Sequence, residues 1–218
     1  MVAPVGRFFT SFDEAWQFFV KRDDELEDFF AAFPLDDHFL LGWLLQLDPR
    51  LLPAATEVQR SFSHLDWITL QPEHFLHVWL GGVAFAPHRP TADETDFVVE
   101  RAKHAWAGIE PFDLRFARIN CFHDGVVAEA EGDGPLRLVT QMVGSGMSRV
   151  QLDTFLPHLT LGTFNAPNQP APLRQVLVAR RETALGEQRV KEAMLCVIPA
   201  SRTSILDPWE VVGSVAFG

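Results

Sequence analysis

Cysteine is scarce in this 218-residue sequence, which contains only Cys121 and Cys196. Two cysteines allow at most one disulfide, and nothing else in the chain is typical of a secreted disulfide scaffold. No apolar run reaches the roughly 20 residues that a membrane-spanning helix needs, and residues 1–7 lack the pattern of a signal peptide. We therefore expect a soluble protein of the reducing cytoplasm.

Basic residues are also few in this sequence. Eighteen Lys and Arg residues stand against 29 Asp and Glu residues, which gives a formal net charge of −11 and a pI near 5.1. Sequence-independent affinity for nucleic acid comes from clustered Lys and Arg, so this balance argues against binding to an extended duplex. A small phosphate ester or the end of a strand fits better, and we expect no membrane partner.

Spacings typical of metal sites are missing as well. Four histidines lie within 25 residues of one another, but the sequence has no His-x-x-x-His, His-Glu-x-x-His or Cys-x-x-Cys pattern. Zinc sites need such closely spaced ligands. The sequence therefore predicts neither a metal site nor a cofactor.

The stretch Leu156–Gly162 carries two reactive side chains on one predicted strand. Successive side chains of a strand alternate between faces, so His158 and Thr160 point one way while Leu159 and Leu161 point the other. The stretch therefore presents an imidazole and a hydroxyl together from a rigid element.

A partial repeat of this stretch lies 81 residues earlier in the chain. His77 and Trp79 occupy the places of His158 and Thr160, and in both stretches a proline precedes and a glycine follows. If the two strands lie side by side, both imidazoles face one cleft. The alternative for each histidine is a core side chain satisfied by a backbone partner.

The other apolar patterns predict an α+β protein in which helices and strands follow a repeated order. Residues 11–33 carry Phe and Trp at helical spacing, and residues 39–47 form the apolar run of a central strand. Further helices are predicted over residues 50–64, 91–107, 135–148 and 173–185. Further strands are predicted over residues 112–121, 126–130, 190–198 and 209–217, with a loop over residues 81–90.

This order predicts two lobes, each with a mostly antiparallel or mixed sheet flanked by helices, that meet at a central cleft. Residues 1–36 are assigned to an N-terminal amphipathic helical extension and residues 37–218 to the bilobal domain. We interpret the acidic run Asp23–Asp28 as the solvated face of a helix rather than as a binding patch.

The two histidine stretches resemble the paired His-x-Thr/Ser-x motifs of the 2H phosphoesterase superfamily, which includes 2′-5′ RNA ligase-like and 2′,3′-cyclic phosphodiesterase proteins. Residues 158–161, His-Leu-Thr-Leu, match the motif in full, whereas residues 77–80, His-Val-Trp-Leu, match it in part. The first motif is therefore degenerate. The resemblance covers residues 37–218 and implies the bilobal fold of the family.

The same resemblance implies a metal-independent phosphoesterase that acts on a small cyclic nucleotide or an RNA end with a 2′,3′-cyclic or 2′-5′ linkage. His77 and His158 would be the catalytic pair, because an unperturbed imidazole titrates near pH 6.5 and can serve as acid or base near neutrality. Thr160 would bind a phosphate oxygen. We expect the protein to be a monomer.

Trp79 departs from the family pattern, which has a hydroxyl there. An indole has one N–H donor and no acceptor, so catalysis is expected to be impaired or altered. Trp79 either binds substrate by stacking on a nucleobase or fills the core. The alternative function is a catalytically impaired module that binds a nucleotide or an RNA end. A further hypothesis makes the acidic, Phe-rich N-terminal helix a docking site for a partner.

Three arginines are candidate phosphate ligands, because the guanidinium group binds phosphate through two hydrogen bonds. They are Arg118, Arg137 and Arg149. Their spacing does not select one of them, and solvation at the surface is the simpler interpretation for each.

Overall fold

A computed structural model describes residues 9–29, 38–132, 135–136, 139, 156–199 and 206–218. The named helices in these ranges are α1 (Phe12–Lys21), α2 (Leu52–Phe62), α3 (Ala92–Ala105) and α4 (Ala171–Arg180). The strands are β1 (Phe39–Gln46), β2 (Ile68–Leu70), β3 (His77–Ala86), β4 (Phe112–Cys121), β5 (Gly125–Gly132), β6 (His158–Phe164), β7 (Gly186–Val190), β8 (Glu192–Pro199) and β9 (Glu210–Ala216).

The strands form one antiparallel sheet in the order β7-β4-β5-β6-β3-β1-β8-β9, and β2 pairs with β6 beside this path. Strands β3 and β6 meet through the pairing of Val78 with Leu159. We call this junction the seam. The two sheets predicted for the two lobes are joined at the seam into one sheet, and the α+β class and the mostly antiparallel arrangement are confirmed.

The residues that pair at the seam belong to the hydrophobic core. Val78 and Leu159 are 1% and 0% exposed, and Leu80 and Leu161 are similarly buried. On this side of the sheet α2 and α4 pack against each other, α2 contacts β6, and α4 contacts β4. The opposite face at the seam is therefore the one on which polar side chains are accessible.

Helix α1 is shorter than the sequence predicts. Ser11 caps it by accepting a hydrogen bond from the backbone N–H of Glu14 at 3.1 Å, and the helix ends at Lys21. Arg22 then takes an extended backbone conformation, and its guanidinium binds Asp24 and the backbone carbonyl of Glu25. The prediction of a helix is therefore wrong for residues 22–28. The predicted boundary between residues 36 and 37 lies outside the described residues.

The apolar face of α1 packs against its own chain. Ala15 and Phe19 are fully buried, and Trp16 packs against the main core. The side of the helix that was a candidate docking site for a partner is therefore used within the fold.

Several other predicted elements are confirmed. Helices α2 and α3 lie within the predicted ranges, and Thr91 and Glu94 form the capping box expected at the start of α3. Strands β4 and β5 form the predicted hairpin. The helix predicted over residues 135–148 lies almost wholly outside the described residues. None of the described helices is long and apolar enough to cross a membrane.

The loop predicted over residues 81–90 is wrong for residues 81–86, because β3 continues to Ala86, and it is confirmed for residues 87–90. Two register shifts against β1 accommodate extra residues in β3, and Gly81 takes a φ of 151°, a value that favours glycine. Helix α4 ends at Arg180, before the predicted end at residue 185. The chain then forms an additional strand, β7, which pairs with β4 at the other edge of the sheet. The sequence did not predict this short edge strand, because charged residues alternate along β7 and leave no apolar run.

Candidate functional site

A cavity of about 530 Å³ opens over the seam, and we call it the cleft. It is lined by all four residues that the sequence singled out, namely His77, Trp79, His158 and Thr160. Two further polar residues and a larger group of apolar residues complete its described lining, namely Gln71, Thr163, Phe29, Leu40, Phe75, Gly82, Val83, Ala84, Phe85, Ile198 and Leu206.

The register of the seam sets the relative positions of the four predicted residues. Residues that flank a paired position also lie opposite each other in an antiparallel pair, so His77 lies opposite Thr160 and Trp79 lies opposite His158. Diagonal neighbours in such a pair are about 7–8 Å apart. The two histidines therefore occupy one diagonal of a four-residue square at the seam.

Each imidazole is hydrogen-bonded to the backbone carbonyl of the residue two positions earlier in the chain. His77 Nδ1 lies 2.6 Å from the carbonyl oxygen of Phe75, and His158 Nδ1 lies 2.7 Å from that of Leu156. A carbonyl oxygen can only accept, so Nδ1 carries the proton in both rings and Nε2 holds the lone pair of the neutral form. Both side chains are only partly buried and line the cleft.

The surroundings of His77 are strongly apolar. The rings of Phe75 and Trp209 stand edge-on to the imidazole, with centroids at 5.0 and 4.9 Å. Burial lowers the pKa of His77 to about 4, the hydrogen bond to the carbonyl of Phe75 opposes this change, and the charge of His158 adds to it. His77 is therefore neutral at physiological pH.

The neighbours of His158 are more polar than those of His77. Burial lowers the pKa of His158 too, whereas the carbonyl of Leu156 and the carboxylate of Asp124 act in the opposite direction, and His123 adds to the lowering. The ring of Phe122 stands edge-on to the imidazole at 4.8 Å. Asp124 is thus a nearby carboxylate that stabilises the protonated form of His158.

The indole of Trp79 packs closely against the backbone of β1 at Gly42. A Cβ atom placed on Gly42 would stand 2.0 Å from the Trp79 indole, so the ring occupies the space that a side chain at Gly42 would need. The indole also packs in a small apolar cluster around Ile198. Trp79 therefore fills space beside the sheet and also lines the cleft, and its binding of a nucleobase stays a prediction.

Sequence reasoning missed Thr163 and Gln71. Simple alternation from His158 assigns residue 163 to the core face, but Thr163 lines the cleft. A β-bulge explains the difference: Val127 pairs with Thr160 and Val126 pairs with Gly162, so Leu161 is an extra residue. A bulge shifts the alternation by one position. Gly162 inside a predicted strand was the available signal for it.

Gln71 is fixed beside this bulge by a buried side chain of α2. Gln59 Nε2 donates to the backbone carbonyls of both Gln71 and Leu161 at 2.8 Å. The amide of Gln71 in turn lies 3.5 Å from the hydroxyl of Thr163, at the limit of a hydrogen bond. Gln71 and Thr163 are 4% and 3% exposed, so they form a polar floor of the cleft.

The candidate arginines do not contribute to the described lining. Arg118 pairs with buried Glu129 at 2.9 Å and with Asp13 at 3.1 Å, and it does not line the cleft. Arg137 and Arg149 lie outside the described residues. Among the described residues that line the cleft there is no Lys or Arg, and the described part of the chain contains no group of three or more potential metal ligands.

Comparison with protein families identifies one match. The model of the 2′-5′ RNA ligase superfamily matches residues 47–197, a range that contains both histidine stretches. No curated protein matches the sequence significantly.

Several solved structures share the fold. TT0787 of Thermus thermophilus is 20% identical with a TM-score of 0.59, over 82% of this chain and 97% of that chain. ATU0111 of Agrobacterium tumefaciens, a conserved protein of unknown function, is 13% identical with a TM-score of 0.60, over 84% and 89% of the two chains. LigT of E. coli, complexed with 3′-AMP, is 15% identical with a TM-score of 0.56, over 84% and 99%.

Proposed function

Because the chain belongs to the 2′-5′ RNA ligase superfamily, we propose that it is a metal-independent phosphoesterase acting on 2′,3′-cyclic or 2′-5′-linked ribonucleotide ends. The superfamily match confirms the resemblance to 2H phosphoesterases inferred from the two motifs. One observation carries the proposal. His77 and His158 line one cleft, and each has its Nδ1 bound to a backbone carbonyl, which leaves two Nε2 atoms for acid–base chemistry.

His77 is the proposed general base. With a pKa of about 4 it is neutral near pH 7, so its Nε2 lone pair is available. In hydrolysis of a 2′,3′-cyclic phosphate, Nε2 takes a proton from water while the water oxygen bonds to phosphorus. The apolar rings around His77 favour the neutral form that this role requires.

His158 is the proposed general acid. Its protonated Nε2 gives a proton to the ribose oxygen as the bond between that oxygen and phosphorus breaks, and the product is a phosphomonoester with one free hydroxyl. A bound phosphate anion raises the pKa of an adjacent imidazole, and Asp124 acts in the same direction on the pKa of His158. Solvent then returns the proton from His77 to His158.

Thr160 is the proposed phosphate ligand. It lies opposite His77 and two residues after His158, so its hydroxyl can donate to a non-bridging oxygen and hold the ester in line. The size of the cleft supports a mononucleotide or a single terminal nucleotide as the bound unit. LigT, which shares the fold, has been crystallised with 3′-AMP, a molecule of this size.

Turnover of 2′,3′-cyclic mononucleotides tests the proposal. We expect His77→Ala and His158→Ala each to lower kcat by about 10²–10⁴-fold, as loss of an acid or base does. His104→Ala, at an exposed position near the end of α3, is the matched control and should retain full activity. Full activity of either cleft variant, or an inactive parent at high enzyme concentration, would contradict the proposal.

Trp79 favours one alternative, a module that binds the same ligands without turnover. The motif hydroxyl is missing at this position, and the indole instead provides an aromatic surface in the cleft. Calorimetric titration with 3′-AMP separates the two functions. Binding by a parent protein that hydrolyses no cyclic nucleotide supports the module, whereas turnover that depends on both histidines excludes it.

A further inference from the structure

The N-terminal segment, defined as residues 9–29, is anchored beside the strand that pairs with the second histidine stretch. Glu129 of β5 is fully buried and stands opposite His158 in the register of β5 and β6. Arg181 lies 2.5 Å from Glu129, and Asp13 of α1 lies 3.7 Å from Arg181. The guanidinium of Arg181 also lies over the ring of Trp16 at 4.6 Å. Helix α1 is thereby fixed to the framework of the cleft.

Aromatic contacts continue from α1 to the imidazole of His158. Phe12 and Phe122 are stacked, with ring centroids 6.2 Å apart and planes at 8°. Phe9 contacts the same Phe122 ring at 6.1 Å. Phe122 in turn stands edge-on to His158 at 4.8 Å. The ring of His158 is therefore supported on one side by residues whose positions depend on the N-terminal segment.

The end of the segment reaches the cleft itself. After α1 the chain is held by backbone hydrogen bonds from Leu26 N–H to Asn168 and from Glu27 N–H to His123, at 2.8 and 3.0 Å. Two residues later Phe29 lines the cleft and packs in the apolar cluster around Ile198. Phe29 stands 18 residues before the start of the superfamily match at residue 47.

We infer that the N-terminal segment forms one wall of the active site, with Phe29 as a specificity-determining residue for the nucleoside part of the substrate and Phe12 as a positioning residue for His158. Phe29 acts by apolar contact beyond the phosphate. Phe12 acts through Phe122 on the orientation of the imidazole. The inference rests on the proposed function and adds to it a part of the chain that the superfamily match does not contain.

Substitution of Phe29 tests the contact with substrate. We expect Phe29→Ala to raise KM for 2′,3′-cyclic mononucleotides roughly tenfold with kcat nearly unchanged, because an apolar contact is lost equally from the ground state and the transition state. Phe97→Ala is the matched control, since Phe97 is 64% exposed on α3. An unchanged KM in Phe29→Ala overturns the role of Phe29.

Substitution of Phe12 tests the positioning of His158. We expect Phe12→Ala to lower kcat roughly tenfold with little change in KM, and to shift and broaden the ring resonance of His158 in NMR spectra. Phe12→Tyr keeps the ring and should restore both. If Phe12→Ala does not fold, Phe12→Leu, which keeps apolar volume without an aromatic ring, makes the same test.

The outcomes separate this inference from the proposed function. A His158 resonance at the parent position in the folded Phe12 variant overturns the positioning role, whatever the activity. A parent that hydrolyses no cyclic nucleotide overturns the proposed function. The contribution of the N-terminal segment to the cleft is then tested by the His158 resonance alone. Loss of activity in Phe97→Ala equal to that in Phe29→Ala overturns the specificity role.

Discussion

The imidazoles of His77 and His158 are each bound to a backbone carbonyl two residues earlier, but their other neighbours differ. Aromatic rings surround His77, whereas Asp124 stabilises positive charge on His158. Burial lowers the pKa of both rings, to about 4 for His77. A pair arranged in this way works at a pH where His77 is neutral and part of His158 is protonated.

We therefore expect kcat/KM for a 2′,3′-cyclic mononucleotide to follow a bell-shaped pH profile with its maximum below about pH 6.5. As the pH falls through about 4, His77 binds a proton and no longer serves as base. As the pH rises above the lowered pKa of His158, the acid is lost.

Initial rates between pH 3.5 and 9, within the range where the fold is intact, measure this profile. A substrate whose leaving group needs no proton, such as a nitrophenyl phosphodiester, is the control and should lack the alkaline limb. A profile that instead rises to a plateau above pH 8 would contradict the assignment of His158 as acid.

Gly42 and Gly82 both lie near Trp79 but leave different room for a side chain. A Cβ atom on Gly42 would stand 2.0 Å from the indole, whereas the nearest atom to a Cβ on Gly82 is 3.6 Å away, in Leu40. We expect Gly42→Ala to lower the free energy of unfolding by about 1–3 kcal/mol through overpacking. Gly82→Ala should change it by less than about 0.5 kcal/mol.

Urea denaturation of the two variants measures this difference. Gly42→Ala should also weaken binding of 3′-AMP, because the displaced indole enters the cleft. Equal stability of Gly42→Ala and the parent would show that the indole does not depend on a bare backbone at this position.

At the level of elements, strong local patterns are predicted well and contacts between distant segments are not. The capping box at Thr91 and the hairpin of β4 and β5 are confirmed because their signals lie within a few residues. The bulge at Leu161 is missed because it depends on pairing with β5 and on Gln59 of α2. That bulge alone decides whether Thr163 faces the cleft or the core.

The anchoring of α1 yields a prediction about stability. Glu129 is buried and pairs with Arg118 and Arg181, so Glu129→Gln removes the buried carboxylate that these two guanidinium groups share. We expect this change to lower the free energy of unfolding by about 3 kcal/mol, as the loss of one partner from a buried ion pair does.

Asp113→Asn is the matched control, because its pair with Arg189 is about half exposed at 53% and 49%. Exposed pairs contribute about 0–1 kcal/mol, so this variant should unfold almost like the parent in a denaturant titration. If Glu129→Gln is equally stable, the cluster does not hold α1 in place.

At the scale of the whole molecule, the sequence predicts the central residues of the cleft but not its walls. Four predicted residues meet because two strands with matched patterns lie side by side at the seam. Gln71 and Phe29 come from segments with no matching pattern, and only the folded chain brings them to the cleft. A repeated motif thus predicts the symmetric part of a site but not its asymmetric part.

The hydrogen bonds from His77 to Phe75 and from His158 to Leu156 are local, since each joins residues two apart in the chain. The tautomer of each imidazole is thus selected by the backbone carbonyl two residues earlier. The reactive nitrogen therefore remains unprotonated in the neutral ring even when the residue opposite it changes. We expect this local support to make the pair robust to substitution, so that an indole in place of a small hydroxyl leaves the Nε2 atom of each imidazole available.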